Sequence, residues 1–231
     1  MRSIWRTLTP SLQRDTLAMA GAIAVVGVSF GAIAVASGMD WWIPSALSVL
    51  VFAGGSQFMV VGVVAAGGGL VAAVAGALLL NARHLPFGLA LGDIMGRRPL
   101  ARIVGSHLLI DESVAFAMAQ KNDSARARAV FWFLGTTAFV VWNLGTIVGA
   151  AAGQVIGDTD AYGLDAAFPA ALLALVLPAL KNARTRNVAL LGAVVSLATT
   201  PFLPAGVPVL LSLAGLVVLV PAPKKNEEVA A

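Results

Sequence analysis

Apolar residues in this chain run in long blocks instead of alternating with polar ones. From Thr16 to Ala82, sixty-seven residues, the only charged side chain is Asp40. A single helix needs about 20 apolar residues to cross a bilayer, so this block alone has room for several crossings. Hydropathy predicts apolar segments near 16–37, 42–66, 69–92, 103–120, 129–157, 163–180, 187–203 and 206–221. The expected fold is an all-α integral membrane protein. It is a polytopic helical bundle of about seven to eight transmembrane segments, some of them broken or re-entrant. Residues 1–15 read as an N-terminal cytoplasmic segment, 16–221 as one transmembrane domain and 222–231 as a cytoplasmic tail. The start MRSIWR before an apolar run has the form of a signal peptide, but the apolar segments that follow favour an uncleaved first helix.

Composition sharpens this picture. Hydrophobic residues make up 59% and charged residues 11% of the chain, and mean hydropathy is +0.90. Soluble domains carry about 25% charged residues. The net charge of +4 is spread over short loops, which fits cytoplasmic Lys and Arg beside membrane spans better than a nucleic-acid surface. With no cysteine, disulfides, thiol catalysis and Cys-ligated metals are excluded.

The charges orient the second half. Lys121, Arg126 and Arg128 precede one span, an acidic loop with Asp158, Asp160 and Asp165 follows it, and Lys181, Arg184 and Arg186 follow the next. The basic loops and the C-terminus with Lys224 and Lys225 are expected inside, the acidic loop outside. Arg2, Arg6 and Arg14 put the N-terminus inside as well. The basic group Arg97, Arg98 and Arg102 fits less easily, because 103–120 then has basic residues on both sides. Either that loop breaks the rule or segments here are re-entrant. Both arrangements require an even number of crossings before residue 121. Phe30-Gly31-Ala32-Ile33 resembles Leu144-Gly145-Thr146-Ile147, a faint sign of the internal duplication found in many transporters. In a chain so rich in Ala, Gly and Val, chance similarity is the competing explanation.

Polar residues inside the apolar segments are the candidate chemistry, because burying them in lipid is costly. In Phe52-Ala53-Gly54-Gly55-Ser56-Gln57-Phe58 the glycine pair can interrupt a helix, and its free backbone groups, with Ser56 and Gln57, can bind a ligand. A close helix packing site is the alternative. In Asn81-Ala82-Arg83-His84-Leu85-Pro86, Pro86 has no N–H to give the Ala82 carbonyl. Arg83 suits a carboxylate, and His84 is the side-chain type that exchanges protons near neutrality. A helix end with a snorkelling arginine is the plainer reading. His107 and Asp111 are four apart and would face each other on a helix. Adjacent Asp111 and Glu112 repel in an apolar setting, which suits proton uptake, although Asp111 can equally be a fixed ion-pair partner of Arg83. Asn143, a lone amide in a long span, can bond another helix or a substrate. Pro169 and Pro178 interrupt the 163–180 segment. Trp5, Trp41, Trp42, Trp132 and Trp142 read as interface anchors. No P-loop, Rossmann glycine pattern, HExxH or GxSxG is present, and no cofactor is expected.

Taken in order and spacing, Phe52-Ala53-Gly54-Gly55-Ser56-Gln57-Phe58, Asn81-Ala82-Arg83-His84 and Asp111-Glu112-Ser113 resemble the AzlC-type family, the large subunits of branched-chain amino-acid exporters. Gly163-Leu164-Asp165 and Phe87-Gly88-Leu89 follow the same pattern, and the similarity runs from about Arg14 to Val220. Family variants often have Ala where Gly55 stands. The resemblance implies an efflux permease, not an enzyme, for valine, leucine, isoleucine and methionine in the bacterial cytoplasmic membrane, proton-driven and working with a small AzlD-type membrane subunit. Gly54, Gly55, Ser56, Gln57, Asn81, Arg83 and Asn143 are then the candidate substrate-binding residues, and His84, Asp111 and Glu112 the candidate proton-coupling residues. Two readings from other classes compete: a non-transporting scaffold subunit, and an intramembrane enzyme using His84, His107 and Asp111.

Overall fold

The computed structural model describes residues 7–155, 173, 176–177, 179–203 and 207–219. The acidic loop, Gly163-Leu164-Asp165, Pro169, Pro178, Lys224, Lys225, Arg2, Trp5 and Arg6 lie outside them. Every regular element among the described residues is helical. The chain divides into two compact units, 1–171 and 172–231.

In the first unit, α1 (Pro10–Ala36) starts where the Thr9 hydroxyl accepts the Leu12 N–H at 3.3 Å and Pro10 takes the first turn. It stops at Gly38, whose φ of 89° suits glycine. Then come α2 (Trp42–Leu50), α3 (Gly54–Ala65), α4 (Leu70–Asn81), α5 (His84–Met95), α6 (Pro99–His107), α7 (Asp111–Ala119) and the long α8 (Ser124–Val155). Three of the apolar segments are therefore broken: 42–66 at residues 51–53, 69–92 at 82–83 and 103–120 at 108–110. Among the described residues, α1 and α8 are each long and apolar enough to cross a membrane. The α4–α5 pair, bent by 44°, makes a third if counted as one span.

Helices α1 and α8 touch backbone to backbone through glycines spaced four apart. A Cβ at Gly27 would sit 2.9 Å from the Trp142 carbonyl oxygen, one at Gly145 2.6 Å from that of Ala24, and one at Gly153 2.9 Å from that of Ala32. Gly31 against Thr146 and Gly149 against Val28 are closer still. Small residues at this spacing let apolar helices approach closely, and packing is what holds helices together where no water can drive them. The paired numbers rise together, so the helices run parallel and their N-termini share one end. An even number of crossings separates two such ends.

Helix α8 works as a ruler for the rest of the unit at about 1.5 Å per residue. Near its start, Arg128 donates to the Asp93 carbonyl at 3.0 Å and lies 3.9 Å from the Cβ position of Gly96. Leu108 packs on Gly135, 3.1 Å from its Cβ position, about 10 Å further along. The α6–α7 hairpin thus leaves from the Arg128 level, climbs to Gly135 and returns through α7 to Ser124. Arg97, Arg98 and Arg102 gather at the same end as Arg14, Arg126 and Arg128. This removes the charge conflict around 103–120.

In the second unit α9 (Ala183–Thr199) is capped by Asn182, whose Oδ1 accepts the N–H groups of Arg184 and Thr185. After α10 (Val207–Leu211) a 3-10 stretch, Ser212–Leu219, runs back along α9. There a Cβ on Gly192 would meet the Ser212 carbonyl at 2.6 Å.

Candidate functional site

The break between α2 and α3 is made by Phe52 at φ 39° and extended Ala53. A positive φ on a bulky residue costs about 1–3 kcal/mol and persists only where packing enforces it. Phe52 is buried, its ring 5.0 Å from Phe139 and 6.0 Å from His107. Helix α3 takes its first backbone bond from the Gln57 N–H to Ala53. The N–H groups of Gly54, Gly55 and Ser56 therefore have no helical acceptor. No side chain caps them, because the Ser56 hydroxyl donates to the Ala53 carbonyl at 2.9 Å. Gln57 is 1% exposed, and neither its Nε2 nor its Oε1 has a partner.

Arg83 stands at the bend between α4 and α5 and reaches this helix end. Its Nη2 is 3.3 Å from the Cβ position of Gly55, so the missing side chain makes room for the guanidinium. The same Nη2 pairs with Asp111 Oδ2 at 3.0 Å, with the two side chains 34% and 48% exposed. Asp111 opens α7, where a carboxylate is favoured by the helix dipole. That helix start is held by Ser113, whose hydroxyl accepts the Ile110 N–H at 3.0 Å. Glu112 follows in the same turn, half-buried. Gly54, Gly55, Arg83 and Asp111 are thus drawn together from three separate helix breaks.

Other expected residues take different places. Pro86 falls in the first turn of α5, where its missing N–H costs nothing. The Ala82 carbonyl that it cannot serve accepts the Leu85 N–H at 3.1 Å, so it is not free. His84 Nδ1 bonds the Asn81 carbonyl at 2.9 Å, while Asn81 Oδ1 is buried without a partner. His107 and Asp111 do not share a helix face: the chain turns between them, and His107 Nε2 instead meets the Val49 carbonyl at 2.9 Å. Asn143 accepts from the Ser48 hydroxyl at 2.8 Å and donates to the Phe139 carbonyl at 2.8 Å, tying α2 to α8. Trp142 is not an interface anchor. It is 5% exposed, stacked on Phe30 at 5.7 Å and packed against Gly54. Sequence reasoning gave no place in the site to Trp142 or Thr146, each with a buried polar atom lacking a partner. Their signal was the glycine spacing that draws α8 onto α1. Among the described residues no three His, Asp or Glu side chains gather as a metal site.

The family model for AzlC protein matches residues 18–156, which include all three breaks and every residue of the site. The chain belongs to the AzlC family. Its relatives in that family are membrane proteins. An uncharacterized membrane protein of Helicobacter pylori (strain ATCC 700392 / 26695) is 23% identical over 173 residues, 74% of this chain and 75% of the relative. The inner membrane protein YgaZ of Escherichia coli (strain K12) is 28% identical over 173 residues, 72% of this chain and 67% of YgaZ. No solved structure matches the chain. An AzlC-family membrane protein with helices interrupted around one polar centre is consistent with a transporter.

Proposed function

We propose that this chain is a secondary transporter that exports branched-chain amino acids, with methionine as a further substrate, across the bacterial cytoplasmic membrane. It is coupled to the proton gradient and works with a small AzlD-type membrane subunit. The observation that carries the reading is the meeting of Arg83, the uncapped Gly54-Gly55 helix start and Asp111. A zwitterion asks for this chemistry: a guanidinium and free N–H groups for its carboxylate, a carboxylate for its ammonium. The substrate carboxylate takes Arg83, and Asp111 turns to the ammonium or takes up a proton. Glu112 and His84 stand by as further proton acceptors.

Depth supports the same reading. A hydrocarbon layer of about 30 Å measured from Arg128 along α8 has its middle near Phe139, the level of the α2–α3 break. Interrupted helices meeting at the midplane are a recurrent substrate-site design in secondary transporters. The basic end of the α1–α8 pair is cytoplasmic in this reading, with both termini inside. The apolar lining separates aliphatic side chains by only about 1–3 kcal/mol per methylene, so valine, leucine and isoleucine are poorly distinguished.

The test is efflux of preloaded radiolabelled valine from cells expressing the chain, with and without a co-expressed small subunit, before and after an uncoupler. Uncoupler-sensitive efflux lost in Arg83→Ala and in Asp111→Asn at equal protein level is the expected outcome. Unchanged efflux in both variants would sink the site, and no efflux in either arm would sink the transport reading.

A further inference from the structure

The tip of the α6–α7 hairpin carries a side chain that the charge chemistry above leaves unused. Helix α2 ends at Leu50, and in a continuous helix the Val49 carbonyl would accept the Ala53 N–H. Ala53 is extended, with φ −142° and ψ 89°, so that carbonyl needs another donor. His107, from a different hairpin, provides it: Nε2 lies 2.9 Å from the Val49 oxygen. A carbonyl can only accept, so Nε2 carries the proton and donates. The imidazole also closes a three-ring cluster. Its centroid is 6.0 Å from Phe52 and 5.6 Å from Phe139, with Phe52 and Phe139 5.0 Å apart. Phe52 is the residue held at positive φ.

We propose that His107 is a positioning residue for the substrate site: by binding the Val49 carbonyl and backing Phe52, it fixes the break that sets the start of α3, with Gly55, beside Arg83. The inference rests on the transport reading for its functional consequence, though not for its geometry. The hairpin tip then has two tasks. Asp111 supplies the countercharge of Arg83, and four residues earlier His107 clasps the helix end beside it. Asp111, which pairs with the guanidinium, and His107, which holds the helix end beside it, flank one short turn, Leu108-Leu109-Ile110, so a movement of that turn shifts both together.

The experiment uses the absence of cysteine from the chain. Val51→Cys, within the break and outside the binding groups, reports the break by its rate of maleimide labelling in intact membranes. In that background His107→Leu keeps apolar bulk but removes the donor, and His107→Gln restores an N–H. The expected result for His107→Leu is labelling faster by about fivefold and a valine half-saturation higher by about fivefold, the scale of one net hydrogen bond. Maximal efflux stays within about twofold, and His107→Gln returns both readings towards the parent. Unchanged labelling in His107→Leu, or equal damage in His107→Gln, overturns the proposal. Variants are compared at equal membrane level and monodisperse elution. If the parent exports no valine, the transport reading fails while the labelling still decides the position of the break.

Discussion

Gln57 gives the test in which stability and function should move in opposite directions. Its side chain is 1% exposed, and both amide heavy atoms are without a hydrogen-bond partner. A buried polar group left without a partner costs about 1–3 kcal/mol. Leucine has nearly the same size and needs no partner, so Gln57→Leu removes the penalty and leaves little cavity. In a chain of this length each kcal/mol moves the unfolding midpoint by about 2–4 °C. Without added valine, the variant in detergent should therefore melt about 2–12 °C higher than the parent. Millimolar valine should raise the parent's midpoint, because a ligand bound only by the folded state stabilises it. The variant should have lost that increment, along with efflux. A variant that melts lower than the parent would refute the reasoning, since Gln57 would then be making a structural bond. A variant that keeps its valine-induced shift would refute the assignment of the amide to substrate.

Ser48→Ala should behave in the opposite sense. It strips Asn143 Oδ1 of its partner, so the melting midpoint should fall by about 2–8 °C for a loss of about 1–2 kcal/mol, with valine half-saturation little changed. Gly145→Ala forces a methyl to within 2.6 Å of the Ala24 carbonyl, and α1 and α8 must part. Overpacking of this kind costs about 1–3 kcal/mol, measured against Gly21→Ala on α1, where nothing lies within 4 Å of the new Cβ. Equal melting of the two glycine variants would contradict the backbone contact. Arg83→Lys should abolish most efflux while changing stability by less than about 1 kcal/mol, because the pair with Asp111 is half-exposed and such pairs contribute little. Efflux retained by lysine would mean that a point charge suffices and the forked geometry is unused.

The parts of the site that could be read from the chain are those that lipid penalises. A Gly pair inside sixty-seven nearly uncharged residues, an Arg directly after them and adjacent carboxylates in the apolar stretch beyond stand out, and Gly55, Arg83 and Asp111 do come together. What could not be read depends on where helices stop. Hydropathy averages 103–120 into one span, because the turn at Leu108-Leu109-Ile110 is as apolar as the helices beside it. The four-residue spacing of His107 and Asp111 implies a shared face only on an unbroken helix, and the turn between them removes that premise. The acidic first turn, Asp111 and Glu112, and Ser113 betray the new start, but Ile110 before them is no ordinary capping residue. Trp142 was misplaced by residue type alone: it lies near the middle of the predicted 129–157 segment, and α8 continues for 13 residues beyond it.

The glycine contact also bears on the faint repeat. Gly31 of Phe30-Gly31-Ala32-Ile33 packs against Thr146, within Leu144-Gly145-Thr146-Ile147, and Gly145 packs against Ala24 one helix turn before Val28. The two similar stretches are thus the facing surfaces of one helix pair, and a close contact by itself selects small residues on both sides. Similarity there has a physical cause that needs no common ancestry. The direction of the pair narrows the alternative. Helices α1 and α8 run parallel, whereas an inverted repeat turns its second copy over in the membrane. A duplication carrying α1 onto α8 is therefore of the parallel kind, with its axis along the membrane normal.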